Sequence, residues 1–140
     1  MSGYSGTPLA KKLGIGAGSR VLVRGAPPSY RKLVAPLPAG VRLVRRADEA
    51  TDIVHLFVTR RSALAQQLQQ ALAAMRPDAA IWVSWPKKAS GVVTDLTEDA
   101  IRALALPLGL VDIKVCAVDE TWSALKLVIR KANRAAASRP

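Results

Sequence analysis

The segment Asp52-Ile53-Val54-His55-Leu56-Phe57-Val58 is apolar on both faces, with no alternation between buried and polar positions. A strand of this kind must lie inside a sheet covered above and below, as central parallel strands do. After Thr59-Arg60-Arg61, Ser62 can cap a helix that runs to about Met75. In it Leu64, Leu68, Leu72 and Met75 recur at helical spacing, while Gln66, Gln67, Gln69 and Gln70 fall mostly on the other side. Arg76-Pro77-Asp78 ends that helix, and a second apolar run, Ala80 to Trp85, follows as a strand. Two buried strands separated by an amphipathic helix point to an α/β sheet.

The remainder of the chain extends the pattern. Thr7 to Leu13 reads as a short helix, with Thr7 as cap, Pro8 in the first turn and Gly14 at the end. Gly14-Ile15-Gly16-Ala17-Gly18 precedes the first strand, Arg20–Arg24, rather than following one. A phosphate-cradling loop has to follow a strand and open a helix, so the glycines read as a turn. Ser29 to Leu37 is a short helical candidate limited by Pro36 and Pro38. Val41 to Arg45 alternates apolar with basic residues, as an edge-near strand does. Arg46 to Thr51 is too short and polar for a crossover helix.

Beyond Trp85 comes a lysine loop, Trp85 to Thr97, in which Asp95 could pair with Lys87 or Lys88. Thr97-Glu98-Asp99 then starts a helix with acids at its positive end. Val111 to Val118 and Ser123 to Arg130 are strands joined by the hairpin turn Asp119-Glu120-Thr121-Trp122. Residues 1–130 are thus expected to form one doubly wound α/β domain, and 131–140 a frayed tail.

Charge and composition exclude several function classes. The net charge is +11, with eleven Lys/Arg against three acids in residues 1–61. That imbalance suits an anionic partner. No apolar run is long enough for a membrane span, and the first residues lack the basic and apolar segments of a signal peptide. A single cysteine, Cys116, forms no internal disulfide. The expected location is the cytoplasm, without membrane association. One histidine, His55, and one cysteine make no metal cluster of usual spacing. His55 is expected in the core, and Cys116 has no evident base beside it.

From Asp52 onward, the order of elements resembles the second half of class I methyltransferases, Rossmann-like enzymes that use S-adenosylmethionine. The residues concerned are Asp52-Ile53-Val54-His55-Leu56, the leucine helix, Arg76 to Val83 and the late hairpin. The resemblance implies a mostly parallel three-layer sheet of order 2-1-3-4-6-5, in which the last strand inserts antiparallel. A second resemblance covers nearly the whole chain. Tyr4 to Gly14, Phe57-Val58-Thr59-Arg60, Trp85 to Gly91 and Val115 to Ser123 are similar to a family of short bacterial proteins catalogued as a domain of unknown function. That family implies no substrate.

In such sheets ligands sit at the carboxyl ends of the strands, where the order reverses. The expected crevice is lined by Gly25-Ala26-Pro27-Pro28, Arg45, Arg46, Thr59, Arg60, Arg61 and Trp85 to Lys88. The methyltransferase mode needs a glycine-rich loop after the first strand and an acid after the second. Two prolines without amide donors and two arginines stand there instead. S-adenosylmethionine is therefore disfavoured, and NAD lacks its fingerprint and following acid. The favoured expectation is a non-catalytic module that binds a phosphate-bearing anion or a protein partner. Its anion site would be Arg45, Arg46, Arg60, Arg61, Lys87 and Lys88. Trp122, with Asp119 and Glu120, is the candidate partner contact. The alternatives are a divergent methyltransferase and, after it, a nucleic-acid-binding protein using the basic face.

Overall fold

Both faces of the Ile53–Phe57 strand are buried, and the rest of the molecule is arranged to keep them so. The computed structural model describes residues 7–131; Tyr4, Ser5, Gly6 and the tail 132–140, all named above, lie outside the described residues. The elements run α1 (Leu9–Lys12), β1 (Arg20–Arg24), α2 (Tyr30–Leu33), β2 (Arg42–Val44), β3 (Ile53–Phe57), α3 (Arg61–Ala74), β4 (Ala80–Pro86), α4 (Glu98–Ala105), β5 (Leu110–Ala117) and β6 (Trp122–Ile129). Short 3-10 turns at Lys88–Ser90 and Leu106–Leu108 flank α4.

The six strands form one sheet in the order β2-β1-β3-β4-β6-β5. β1, β2, β3 and β4 pair in parallel, and β6 runs antiparallel to both β4 and β5. This is the Rossmann-like α/β order expected from the sequence, including the inserted last strand. An irregularity at Asp112/Lys114 shifts the β5–β6 register.

Strand alternation divides the core in two. On one face Leu22, Val54, Leu56, Ile81, Val83, Trp85, Leu125 and Leu127 pack under α3 and α4. On the other, Val21, Ile53, Phe57, Trp82 and Ala124 pack under α1 and α2. Trp85 and Trp82 therefore point to opposite faces, as residues three apart on a strand must. The Trp82 indole donates to the Leu13 carbonyl at 2.9 Å, which fastens α1 to the sheet. His55 is fully buried on the same face. Its Nδ1 lies 2.9 Å from the Tyr30 hydroxyl and its Nε2 2.7 Å from the Ser84 hydroxyl.

Several local expectations differ. Thr7 does not cap α1: Pro8 holds the cap position, and its carbonyl accepts from the Lys11 and Lys12 amides at 3.1 Å. The second helix is one turn, Tyr30–Leu33, anchored by the buried Tyr30. Among the described residues Ala35–Pro36 is a cis peptide bond. Ser62 is not the cap of α3, since the helix begins one residue earlier, at Arg61. The acceptor for its first amide is Asp95, whose Oδ1 takes the Arg61 N–H at 2.8 Å. A distant carboxylate thus replaces the local hydroxyl, and the negative charge favours the helix start. Thr97 does cap α4, accepting from the Ala100 amide at 3.0 Å.

Between β2 and β3 there is no helix. Residues 45–52 turn back on themselves, with the Asp48 carboxylate accepting from the Ala50 amide at 2.8 Å. On the β2 side of α3 this face of the sheet is consequently left without a further helix. No helix among the described residues is long and apolar enough to cross a membrane.

Candidate functional site at the carboxyl end of the sheet

Parallel pairing of β1, β2, β3 and β4 puts the carboxyl ends of all four strands on one side of the molecule. The hairpin between β5 and β6 reaches the same side, because Pro86 pairs with Trp122. The strings Phe57–Arg60, Trp85–Gly91 and Val115–Ser123 meet there. The Phe57 and Trp122 rings pack edge to face at 5.1 Å, and the Lys87 amide donates to the Thr121 carbonyl at 2.7 Å.

The loop after β4 folds across the end of β3. The Thr94 hydroxyl donates to the Thr59 carbonyl at 2.6 Å, and the Arg61 Nε–H donates to the Asp95 carbonyl at 2.9 Å. Asp95 is therefore joined to Arg61 rather than to Lys87 or Lys88, its carboxylate taking the amide at the start of α3. This fixes Arg61 as a structural clasp. Arg60 is exposed at the α3 cap position, Lys88 is exposed in its 3-10 turn, and Lys87 is half-buried.

The six basic residues lie in a row along the ends of β2, β3 and β4. Strand spacing of about 4.8 Å sets β2 and β4 roughly 14 Å apart across three intervals. Arg45 and Arg46 are exposed at the end of β2, and the Arg45 carbonyl accepts from Arg24 at 3.3 Å. Of the six, Arg46 lines a groove, and the basic residue beside it there is Arg24, which sequence reasoning passed over. Arg24 was missed because a strand-terminal arginine reads as a boundary. The alternation that puts Leu22 on the α3 side puts Arg24 there too.

Gly25 is required by its neighbours. It has φ +75°, and a Cβ built on it would stand 2.6 Å from the Phe57 carbonyl oxygen. Its bareness serves the approach of β1 to β3. The Gly14–Gly18 string is a turn, as expected: the Gly14, Ile15, Gly16, Gly18 and Ser19 amides all donate within the protein.

The remaining candidates are largely engaged by the fold. Trp122 is half-buried beneath the hairpin rather than free on the surface. Asp119 accepts from the Thr121 and Trp122 amides at 2.9 and 2.8 Å, while Glu120 is exposed. Burial pushes the His55 pKa down to about 3, so its ring is neutral across the physiological range. Burial raises the Cys116 thiol, against a smaller lowering by Lys12, which disfavours a thiolate nucleophile. No group of three or more metal-ligating side chains occurs among the described residues.

No family model matches the sequence, and no curated protein does either. Solved structures do match. A SAM-dependent methyltransferase from Aquifex aeolicus aligns over 86% of this chain and 87% of its own, with TM-score 0.59 and 14% identity. A putative methyltransferase from Thermoplasma acidophilum covers 89% and 75%, with TM-score 0.56 and 10% identity. LepI in complex with SAM covers 87% of this chain and 39% of its own, with TM-score 0.53 and 16% identity.

These likenesses establish the class I methyltransferase-like fold. They also correct three expectations: a non-catalytic module, a leaning away from an enzyme, and S-adenosylmethionine as disfavoured. The similar structures include a SAM-dependent methyltransferase and a putative methyltransferase, and LepI is described in complex with SAM, so the methyltransferase alternative is the better supported.

Proposed function

We propose that this chain is a divergent S-adenosylmethionine-dependent methyltransferase that holds its cofactor across the carboxyl ends of β1, β2 and β3. The observation that carries the reading is the sheet order β2-β1-β3-β4-β6-β5, in a chain that aligns along most of both lengths with the Aquifex methyltransferase. Ligands of such sheets sit where the strand order reverses, which here is between β1 and β3.

The crevice fits one end of the cofactor and not the other. Arg45, Arg46 and Arg60 are exposed there and suit the carboxylate of its amino-acid end. The ribose hydroxyls need acceptors, and arginine has none. Pro27 and Pro28 supply no amide donors, and the space at Gly25 is filled by the Phe57 carbonyl. The usual ribose-binding mode is therefore not available at the end of β2. In this reading the anionic end supplies most of the affinity.

The methyl acceptor has to present its nucleophile already deprotonated, since neither His55 nor Asp95 is placed to take its proton. His55 is sealed between Tyr30 and Ser84, and Asp95 is bonded to the start of α3. We infer also that the chain belongs with the short bacterial proteins of unknown function that its sequence resembles.

Calorimetric titration with S-adenosylmethionine and with S-adenosylhomocysteine tests the cofactor reading. Both are expected to bind, and Arg46→Ala is expected to weaken both. No heat and no competition at millimolar ligand would refute it. Arg45→Asp, which places an acceptor at the end of β2, is expected to tighten binding several-fold if the ribose lies there.

A further inference from the structure

The sheet ends in two unlike edges. β2, on one side, has three residues, Arg42–Val44, while β5, on the other, has eight, Leu110–Ala117. A long unpaired edge is a row of unbonded amides and carbonyls on which another strand can be built. Among the described residues β6 alone pairs with β5, and no backbone hydrogen bond reaches the outer side of β5.

The groups that face outward follow from the hairpin. The Val118 amide donates to the Trp122 carbonyl at 2.9 Å, and the Lys87 amide to the Thr121 carbonyl at 2.7 Å. Alternation then turns the even-numbered residues of β6 toward β5, so Cys116 opposite Ala124 and Lys114 opposite Lys126 are hydrogen-bonded pairs. The amides and carbonyls of Val115 and Ala117 therefore point away from the sheet. Ile113 is the extra residue of the bulge at Asp112/Lys114, which ends the regular edge there. The edge open to a partner is residues 114–117.

The two faces of that edge differ in chemistry. Val115 lies opposite Leu125, on the face covered by α3 and α4, and is 56% exposed. On the α1 face Lys114 stands directly across from Lys126. Like charges opposite one another destabilise a sheet, and among the described residues neither lysine makes an ion pair. The Lys126 ammonium lies over the Trp82 ring, 6.0 Å from its centre, and burial and then Lys114 lower its pKa. Lys114 is left exposed at the edge. Asp112, the carboxylate on the same strand, is held by Arg102 at 2.9 Å.

These residues select among partners. Two copies joined antiparallel through this edge would carry both lysine pairs on one face, because the two-fold axis of such a junction stands perpendicular to the sheet. Each copy also has a net charge of +11. A strand with acidic residues on the α1 face and apolar residues on the α4 face meets the opposite condition. It brings the counter-charge to Lys114 and covers Val115, and the period of two in a strand provides that division.

We propose that the outer edge of β5 is a docking site for an extended peptide segment of a partner protein in which acidic and apolar residues alternate. The segment adds a further strand through the outward groups of Val115 and Ala117, with its carboxylates beside Lys114 and its apolar side chains beside Val115. The surface does not depend on the methyltransferase reading, since β4 and β6 separate β5 from the crevice at β1 and β3.

The test uses the unmodified chain with three short end-blocked peptides: valine alternating with glutamate, valine alternating with lysine, and valine and glutamate in two blocks. The alternating acidic peptide is expected to shift the amide resonances of Val115 and Ala117 and to slow their hydrogen exchange, leaving the β2 edge unchanged. The other two peptides should bind at least about tenfold more weakly. Lys114→Glu should exchange the preference, weakening the acidic peptide about tenfold and admitting the basic one. Val115→Pro removes an outward amide and no bond to β6, as an edge strand tolerates, and should weaken the acidic peptide about tenfold at an unchanged urea midpoint. If that midpoint falls, Lys114→Glu decides alone. The proposal is overturned if the acidic peptide shifts no β5 amide at millimolar concentration, if it shifts the amides of Arg45, Arg46 and Arg60 instead, or if it binds Lys114→Glu as well as the parent. It is equally overturned if sedimentation shows a dimer that Val115→Pro dissociates, which gives the edge to a second copy.

Discussion

Between pH 7 and pH 5, acidification should destabilise this protein through His55. His55 is fully buried between the Tyr30 and Ser84 hydroxyls and stacked on Phe57 at 4.4 Å. Burial lowers its pKa from the ordinary 6.5 to about 3. A depressed histidine is neutral when folded and protonates on unfolding, so between these values the unfolded chain binds one more proton. Stability is then fully present above about pH 6.5 and falls as the pH drops toward 3, at about 1.4 kcal/mol per unit where the slope is greatest. From pH 7 to pH 5 the loss from His55 alone is about 2 kcal/mol, a sizeable part of a typical domain's stability.

The assay is urea unfolding at pH 7, 6 and 5 for the parent and for His55→Gln. Glutamine can bond both hydroxyls and does not titrate, and carboxylates contribute equally to both proteins. The variant is expected to start less stable at pH 7, by about 1–3 kcal/mol for the disturbed buried network, and the gap should close by about 2 kcal/mol at pH 5. Parallel stability curves for the two proteins would refute the reasoning, since His55 would then protonate equally folded and unfolded.

Three other substitutions probe the frame of the site. Asp95→Ala removes the acceptor for the first amide of α3 and should cost about 1 kcal/mol by chemical denaturation, with faster proteolysis within the loop 87–97. Gly25→Ala forces a side chain into φ +75° and against the Phe57 carbonyl, so it should lose more than about 1–2 kcal/mol of stability. A loss under half of that in urea melts would show that β1 can move away from β3. At Asp52, burial raises the carboxyl pKa, but the Arg20 amide and the Arg76 guanidinium outweigh it and lower it overall. Its stabilisation is therefore present above the ordinary carboxylate pKa and lost on acidification through the depressed value. Asp52→Asn should flatten the stability curve below about pH 4, where the unfolded carboxyl takes up its proton.

How much of this was legible beforehand depended on whether a residue's partner lies close along the chain. The run Asp52–Val58, the leucine stripe, the Thr97 cap and the Asp119 turn depend on near neighbours and on burial pattern, and each could be read from the sequence. The sheet order followed from resemblance in the order of elements, because connection lengths and strand hydrophobicity limit how α/β units stack. The α3 cap could not be read, since Ser62 is the local candidate while Asp95, 34 positions away from Arg61, is the actual acceptor. The candidate anion site was chosen from charges at strand ends, but the sheet spreads Arg45, Arg46, Arg60, Arg61, Lys87 and Lys88 along a row and engages Arg61 structurally.

The sequence by itself determined which segments are buried, because burial pattern is written in residue type and spacing. Only the tertiary structure decided what those segments leave open. A shallow groove bordered by Arg24, Arg46 and Gln70 lies where no helix follows β2, and the sequence showed that absence without its consequence. Strand alternation turns Arg24 to that side, and the direction of α3 across the sheet brings Gln70 to meet it.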